Sequence, residues 1–255
     1  MVTGHRAASA RRDVPRVSPG RLRTRRVGRR TMLRVVMCIV ALAVIVANAW
    51  AFQHPPDPAP PAGSALEALE TLTIREPVSS AAADYEREAF GPAWHDVDHN
   101  GCDTRNDILA RDLEDLAYAD ARSACVVRTG ILHDPYTGTT VEFVRGVKTS
   151  AAVQIDHVVA LGDAWSKGAA AWHSQTRHQF ANDPLNLIAT HGATNSSKGA
   201  GDASEWLPPA SDYRCPYVAR QVAVKVSYEL AVSPDELEAM RGVLATCPAE
   251  PLPLG

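Results

Sequence analysis

An Arg-rich head running directly into an uncharged apolar segment constrains this chain first, because it decides on which side of a membrane the rest must fold. Residues 1–34 hold eleven Arg, no Lys and a single acid, Asp13. Residues 35–52, VVMCIVALAVIVANAWAF, carry no charge. A basic segment followed by an apolar one is the order of an export signal. Ala47-Asn48-Ala49 offers the small-x-small pattern of a cleavage site, and eighteen residues are also just enough to span a bilayer. A cleaved signal peptide and a retained transmembrane anchor are therefore both open. Either way the Arg-rich end stays in the cytoplasm and the remainder is placed outside, so an exported location is expected. A start at Met32 would still leave Arg34 and the apolar run.

Export makes disulfides available. Cys38 lies in the apolar run, leaving Cys102, Cys125, Cys215 and Cys247 as an even set beyond it. Of their three pairings we favour Cys102 with Cys125 and Cys215 with Cys247, because each pair brackets one compact segment and closes a moderate loop. A zinc site of four thiolates is the rival, but no C-x-x-C spacing supports it. The net charge of −3 conceals an imbalance: after Arg34 there are fifteen Lys and Arg against twenty-eight Asp and Glu. Such an acidic body excludes a protein that grips nucleic acid through a broad basic face. Any nucleic-acid chemistry here has to be local, through a bound cation and a few placed basic side chains.

The remainder divides by composition. Residues 1–34 are the Arg-rich segment, 35–52 the signal or anchor, and 53–82 a Pro- and Ala-rich linker; 66–90 could form a lead-in helix or more linker. The compact domain is expected over 83–250, starting near Ala83. From Asp107 onward, Ile108, Leu109, Leu113, Leu116 and Ala117 fall at helical spacing and predict one amphipathic helix. CVVRTGILHD and TTVEFVRG, around Pro135-Tyr136-Thr137-Gly138, predict a β-hairpin. AVQIDHVVAL predicts a strand leading into a short helix around Trp165 to Trp172. YVARQVAVKVSYEL predicts a helix, and Ser233-Pro234-Asp235-Glu236 is a capping box opening another, which should pack antiparallel to it.

The chemistry is concentrated in IDHVVALGDAW and FANDPLNLIATHGATNSSKG. An acid beside a histidine, then Asn-Leu-Ile-Ala about thirty residues later, then Asn-x-x-Lys, suits phosphodiester hydrolysis. That reaction needs a base for the water and neutralisation of the charge that develops on phosphate. Asp156 and His157 point to opposite faces of a strand, so they can share a site only where the strand ends or bends. Taken singly, each piece has an ordinary structural reading as a hydrogen-bonded pair or a turn. Together and in this order, IDHVVAL, NDPLNLIAT and TNSSKG resemble the three parts of the HNH, or His-Me finger, endonuclease motif. They are most similar to the branch related to the C-terminal domain of GmrSD restriction enzymes. NGCDTRNDILARDL, LHDPYTG, YRCPYVARQVAVK and Cys247 extend the resemblance to exported members, over about residues 83–247.

The resemblance implies an α+β fold: a ββα-metal (His-Me finger) core with a β-hairpin and flanking helices, stapled by disulfides. It implies Asp156 as one metal ligand, Asn195 as the second, His157 as general base and Asn186 as the residue that holds the loop and orients the base. Asn195 stands where the motif's name has its last His. Lys198 is expected to meet phosphate, and Arg105 is a further phosphate candidate, weighed against an ion pair with a neighbouring acid. One carboxylate and one amide oxygen suit Mg2+ or Mn2+ better than zinc. Neutral His157 is required, so activity should fall below about pH 6.5, the unperturbed value. A second feature, Asp96-Val97-Asp98-His99-Asn100-Gly101 with Asp107 at the twelfth position, matches the start of a Ca2+ loop, although a loop of Asx turns is the plainer reading.

The function expected is a metal-dependent endonuclease acting on DNA, with RNA as the second candidate. It should have little sequence specificity, since no base-reading module is visible. The competing expectation is a non-catalytic exported binding module of the cell envelope that keeps the finger as scaffold. The membrane is a further contact only if the N-terminal segment stays uncleaved, and nothing in the sequence points to a protein partner.

Overall fold

A computed structural model of the chain describes residues 29–53, 62–76, 84–120 and 125–253. The chain divides into two compact units, residues 1–58 and 59–255. In the first, the apolar run lies in one helix, α1 (Arg29–Gln53). Its described apolar side chains, Met37, Leu42 and Ile45 among them, are exposed, and Cys38 is an exposed free thiol. Among the described residues no helix is long and apolar enough to cross a membrane. The Arg-rich residues 1–28 and the side chains of Ala47, Asn48 and Ala49 lie outside what is described.

The second unit begins with α2 (Ala65–Leu69), N-capped by Ser64. Ala65 and Leu69 are fully buried against the C-terminal helices, so this segment belongs to the folded body and not to the linker. The boundary expected at Ala83 lies outside the described residues. Helix α3 (Thr104–Asp112) follows, capped by Asp103, whose carboxylate accepts the Asn106 N–H. Strand β1 (Leu113–Tyr118) comes next and pairs antiparallel with β2 (Val127–His133), which pairs with β3 (Thr140–Val144) in the expected hairpin.

The single helix predicted from Asp107 through Ala117 is therefore cut short. Leu113 turns extended, at φ −102° and ψ 147°. The Asp112 carboxylate at the helix end accepts the Ala189 N–H at 2.7 Å and pairs with Arg111. Residues beyond it gain more from strand pairing with β2 than from another turn of helix, a case of tertiary context overriding local pattern.

Strands β4 (Val153–His157) and β5 (Leu187–His191) form a separate antiparallel pair, with Asp156 opposite Ile188 and His157 opposite Leu187. Between them run α4 (Leu161–Ser166), which starts ahead of the expected Trp165, and α5 (Ser174–Ala181). Immediately after β5 the chain enters α6 (Gly192–Lys198). Gly192 permits this turn: a Cβ there would lie 2.0 Å from the Ala151 carbonyl oxygen. Helices α7 (Arg214–Ser227) and α8 (Pro234–Leu244) close the unit, the second opened by the Ser233–Glu236 capping box. Cys215–Cys247 joins the start of one to the residues just beyond the other, and Cys102–Cys125 joins the lead-in to α3 with that of β2. Among its described residues this unit is α+β with two small antiparallel sheets.

Two apolar clusters meet at the β4–β5 pair and a third at the residues that follow β4. Val153, Ile155, Leu187 and Ala189 pack with Ile108, Leu109 and Phe143. Ile188 and Val158 pack with Tyr136, Val218 and Val222, while Val159 packs with Phe180 and Leu230. A buried ionic joint ties α4, α7 and α8 together. The Lys167 ammonium contacts Asp163, Asp202 and Glu236 at 2.5, 2.6 and 2.7 Å, and Lys225 contacts Glu236 at 2.9 Å. Burial alone would lower the Lys167 pKa, but the surrounding carboxylates reverse this and hold it above the ordinary lysine value.

Candidate active site

His157 is the last residue of β4, which resolves the geometric problem of two neighbours pointing to opposite faces. Asp156 and His157 both border a cleft of about 480 Å³, together with Gln154, Asn195, Arg105 and Trp94. The His157 ring is nearly buried, and its Nε2 lies 2.8 Å from the Ala181 carbonyl oxygen. A carbonyl only accepts, so Nε2 carries the hydrogen and Nδ1 is left as the acceptor. Trp94 lies almost parallel to this ring, at 18° with centroids 6.3 Å apart. Burial pushes the His157 pKa down to about 4, so the imidazole is neutral well below the pH 6.5 expected from an unperturbed histidine.

Asn186 is fully buried and acts on the backbone alone. Its Oδ1 accepts the Val159 N–H at 2.8 Å, its Nδ2 donates to the Val159 carbonyl, and its own carbonyl accepts the Val158 N–H. These three bonds tie the chain leaving His157 to the loop that carries Asn186. Arg111 supports the same loop by donating to the Pro184 and Leu187 carbonyls.

Asp156 is buried with both carboxylate oxygens engaged. Oδ2 accepts the Tyr136 hydroxyl at 2.6 Å and Oδ1 the Lys198 ammonium at 3.0 Å. Burial outweighs these favourable contacts and raises its pKa above the ordinary carboxylate value. Lys198 differs from its expected place at a phosphate. It is buried on the last turn of α6 and also donates to the His157 carbonyl at 2.8 Å, because that turn faces inward beneath β4. Asn195, one turn earlier, borders the cleft, with its Nδ2 donating to Gln154 Oε1 at 2.9 Å. Arg105 also borders the cleft, anchored by one bond to the Val153 carbonyl at 3.0 Å and lying over the Trp94 ring, with the Asp103 carboxylate near enough to favour its charge.

The donor set fits a hard divalent cation. Asp156 has remaining lone pairs and Asn195 keeps its Oδ1; two such oxygens with waters are what Mg2+ accepts. One carboxylate and one amide oxygen suit zinc less well. Among the described residues no group of three or more His, Cys, Asp or Glu is gathered for a metal, and the Asp96–Asp107 loop expected for Ca2+ is closed by its own hydrogen bonds. There the Asp96 carboxylate accepts the Asn100 and Gly101 N–H groups, and the Asn100 amide donates to Asp98 and Asp107. These are Asx turns that close the loop on itself.

Three participants escaped the sequence reading. Tyr136 sits in the LHDPYTG turn, and only the fold shows its hydroxyl reaching β4. Trp94 precedes the Cys102–Cys125 link and is brought to His157 by the bond from Thr104 N–H to its carbonyl. Gln154 could have been found, since two residues before Asp156 on a strand is the same face.

Fold and site define an exported, disulfide-bonded protein of the HNH type. The family model described as "GmrSD restriction endonucleases, C-terminal domain" matches residues 103–243, and the chain belongs to that family. A relative from Arthroderma benhamiae, described as "Uncharacterized secreted protein", is 34% identical over 213 residues, covering 83% of this chain and 98% of that one. No solved structure matches the chain.

Proposed function

We propose that the protein is a metal-dependent endonuclease that hydrolyses phosphodiester bonds of DNA, with RNA as the second candidate. One observation carries the proposal: the Ala181 carbonyl holds the Nε2 hydrogen of His157, leaving a neutral Nδ1 at a cleft that Asp156 and Asn195 share. Family membership supports a nuclease relationship.

Asp156 and Asn195 would hold Mg2+ or Mn2+, which supplies charge neutralisation at the scissile phosphate and the leaving oxygen. His157 Nδ1 takes the proton of the attacking water, and the Ala181 carbonyl stabilises the imidazolium that results. Substrate phosphate brings negative charge beside the ring and lifts its basicity from the depressed value of the free protein. Asn186 fixes the backbone that leaves His157, while the Ala181 carbonyl holds the ring. Lys198 and Tyr136 hold Asp156, and Arg105 and Arg87, which both border the cleft, are left to meet phosphate. With so few cations on an acidic body, the grip on substrate is weak and salt-sensitive.

The competing reading, a non-catalytic binding module of the cell envelope, is favoured by the engagement of both Asp156 oxygens. Incubating the full-length, disulfide-bonded chain with supercoiled plasmid in Mg2+, Mn2+ or EDTA separates the two. Nicking that needs metal and is lost in His157→Ala supports the nuclease. Nicking that survives His157→Ala defeats the mechanism, and absence of metal-dependent nicking by the wild type favours the binding module.

A further inference from the structure

An amide side chain is a cation ligand only through its oxygen, so Asn195 can hold a metal only if something decides which end of the amide faces the cleft. Gln154 stands in that position. It lies on β4 on the same strand face as Asp156, borders the same cleft, and its Oε1 accepts from Asn195 Nδ2 at 2.9 Å. With the nitrogen so engaged, Asn195 Oδ1 is the end left over. The Gln154 amide nitrogen lies on the Gly192 side, where a Cβ would come within 3.2 Å of it. The glycine that admits the β5-to-α6 turn thus also gives room for the Gln154 amide in this sense.

We propose that Gln154 is a positioning residue that fixes the Asn195 amide with its oxygen toward the cleft and so makes Asn195 a hard-cation ligand. This rests on the metal-binding reading of the site. Its action is through Asn195, without contact to the cation or the phosphate. Aspartate in place of Asn195 presents an oxygen whichever way its carboxylate turns, and should have no need of Gln154.

That difference supplies the test. Mn2+ binding to the full-length chain, without nucleic acid, is measured by titration calorimetry or by the spin-resonance signal of free Mn2+. The proteins are wild type, Gln154→Met, Asn195→Asp and the double variant. Gln154→Met should weaken Mn2+ binding about tenfold, the low end of the effect of removing a ligand's supporting partner. In the Asn195→Asp background the same change should cost about twofold or less. Gln154→Glu, which retains an acceptor oxygen, should bind Mn2+ at least as well as wild type within about threefold. Equal losses in both backgrounds, no loss in either, or a Gln154→Glu loss matching Gln154→Met would each overturn the positioning role while leaving the metal site standing. Wild type that binds no Mn2+ overturns both.

Discussion

The Lys198 ammonium lies 3.0 Å from Asp156 Oδ1, with both groups buried. A cation built into the chain thus already balances the carboxylate assigned to the metal. Removing one partner of a buried pair typically costs about 3–5 kcal/mol, because the other charge is stranded. Lys198→Met should therefore lower unfolding free energy by about that amount in EDTA. In Mn2+ the loss should be smaller, since the bound ion takes over as counter-charge. Urea unfolding under the two conditions decides it, and an equal loss in both speaks against a cation at Asp156.

Tyr136→Phe removes the hydroxyl from Asp156 Oδ2 and leaves the aromatic packing against Trp206 and Tyr217 in place. A buried acceptor left short of its donor costs about 1–3 kcal/mol. Urea unfolding should show a loss in that range, with plasmid nicking also reduced. Unchanged stability would mean that water replaces the hydroxyl freely.

The depressed His157 pKa carries a signed consequence for stability. In the folded state the ring titrates at about 4, and in the unfolded chain at the ordinary 6.5. Between these values the unfolded state binds the extra proton, so stability is fully present above 6.5 and is lost as pH falls toward 4. The loss over the whole window is about 3 kcal/mol. In EDTA, wild type should show this decline and His157→Gln should lack it. A variant that declines in parallel with wild type assigns the effect to other groups.

Gly192→Ala places a methyl group against the Ala151 carbonyl where only 2.0 Å is available. Either the β5-to-α6 turn or the 150–152 segment must shift. The expected loss is about 3 kcal/mol, the upper end for overpacking, read from thermal or urea melts. Loss of Mn2+ binding should accompany it, because Asn195 rides on the displaced helix.

What the sequence made legible was local chemistry. The capping box at Ser233, the turn at Pro135 to Gly138 and the pairing of four cysteines each depend on residues close in the chain or on a strict motif. The helix expected through Ala117 failed for the opposite reason. The Asp112 contact that ends it is with Ala189, 77 residues away, and the strand that follows needs β2 to exist. Lys198 failed in a related way: its spacing from Asn195 places it on one side of α6, but only the packing of α6 under β4 reveals that this side is interior. Tyr136 depends on the hairpin turn leaning on the β4–β5 pair, where Asp134 accepts the Thr190 hydroxyl of β5 at 2.7 Å.

The Cys102–Cys125 bond ends one residue before the cap of the helix that presents Arg105 to the cleft. In a cytoplasm rich in reduced glutathione that cross-link does not persist. A chain still inside the cell carries Asp156 and His157, but its Arg105–Trp94 wall lacks the tie to β2. Crossing the membrane therefore completes the protein as well as delivering it. On the nuclease reading, the wall that carries Arg105 gains its covalent restraint only where disulfides persist.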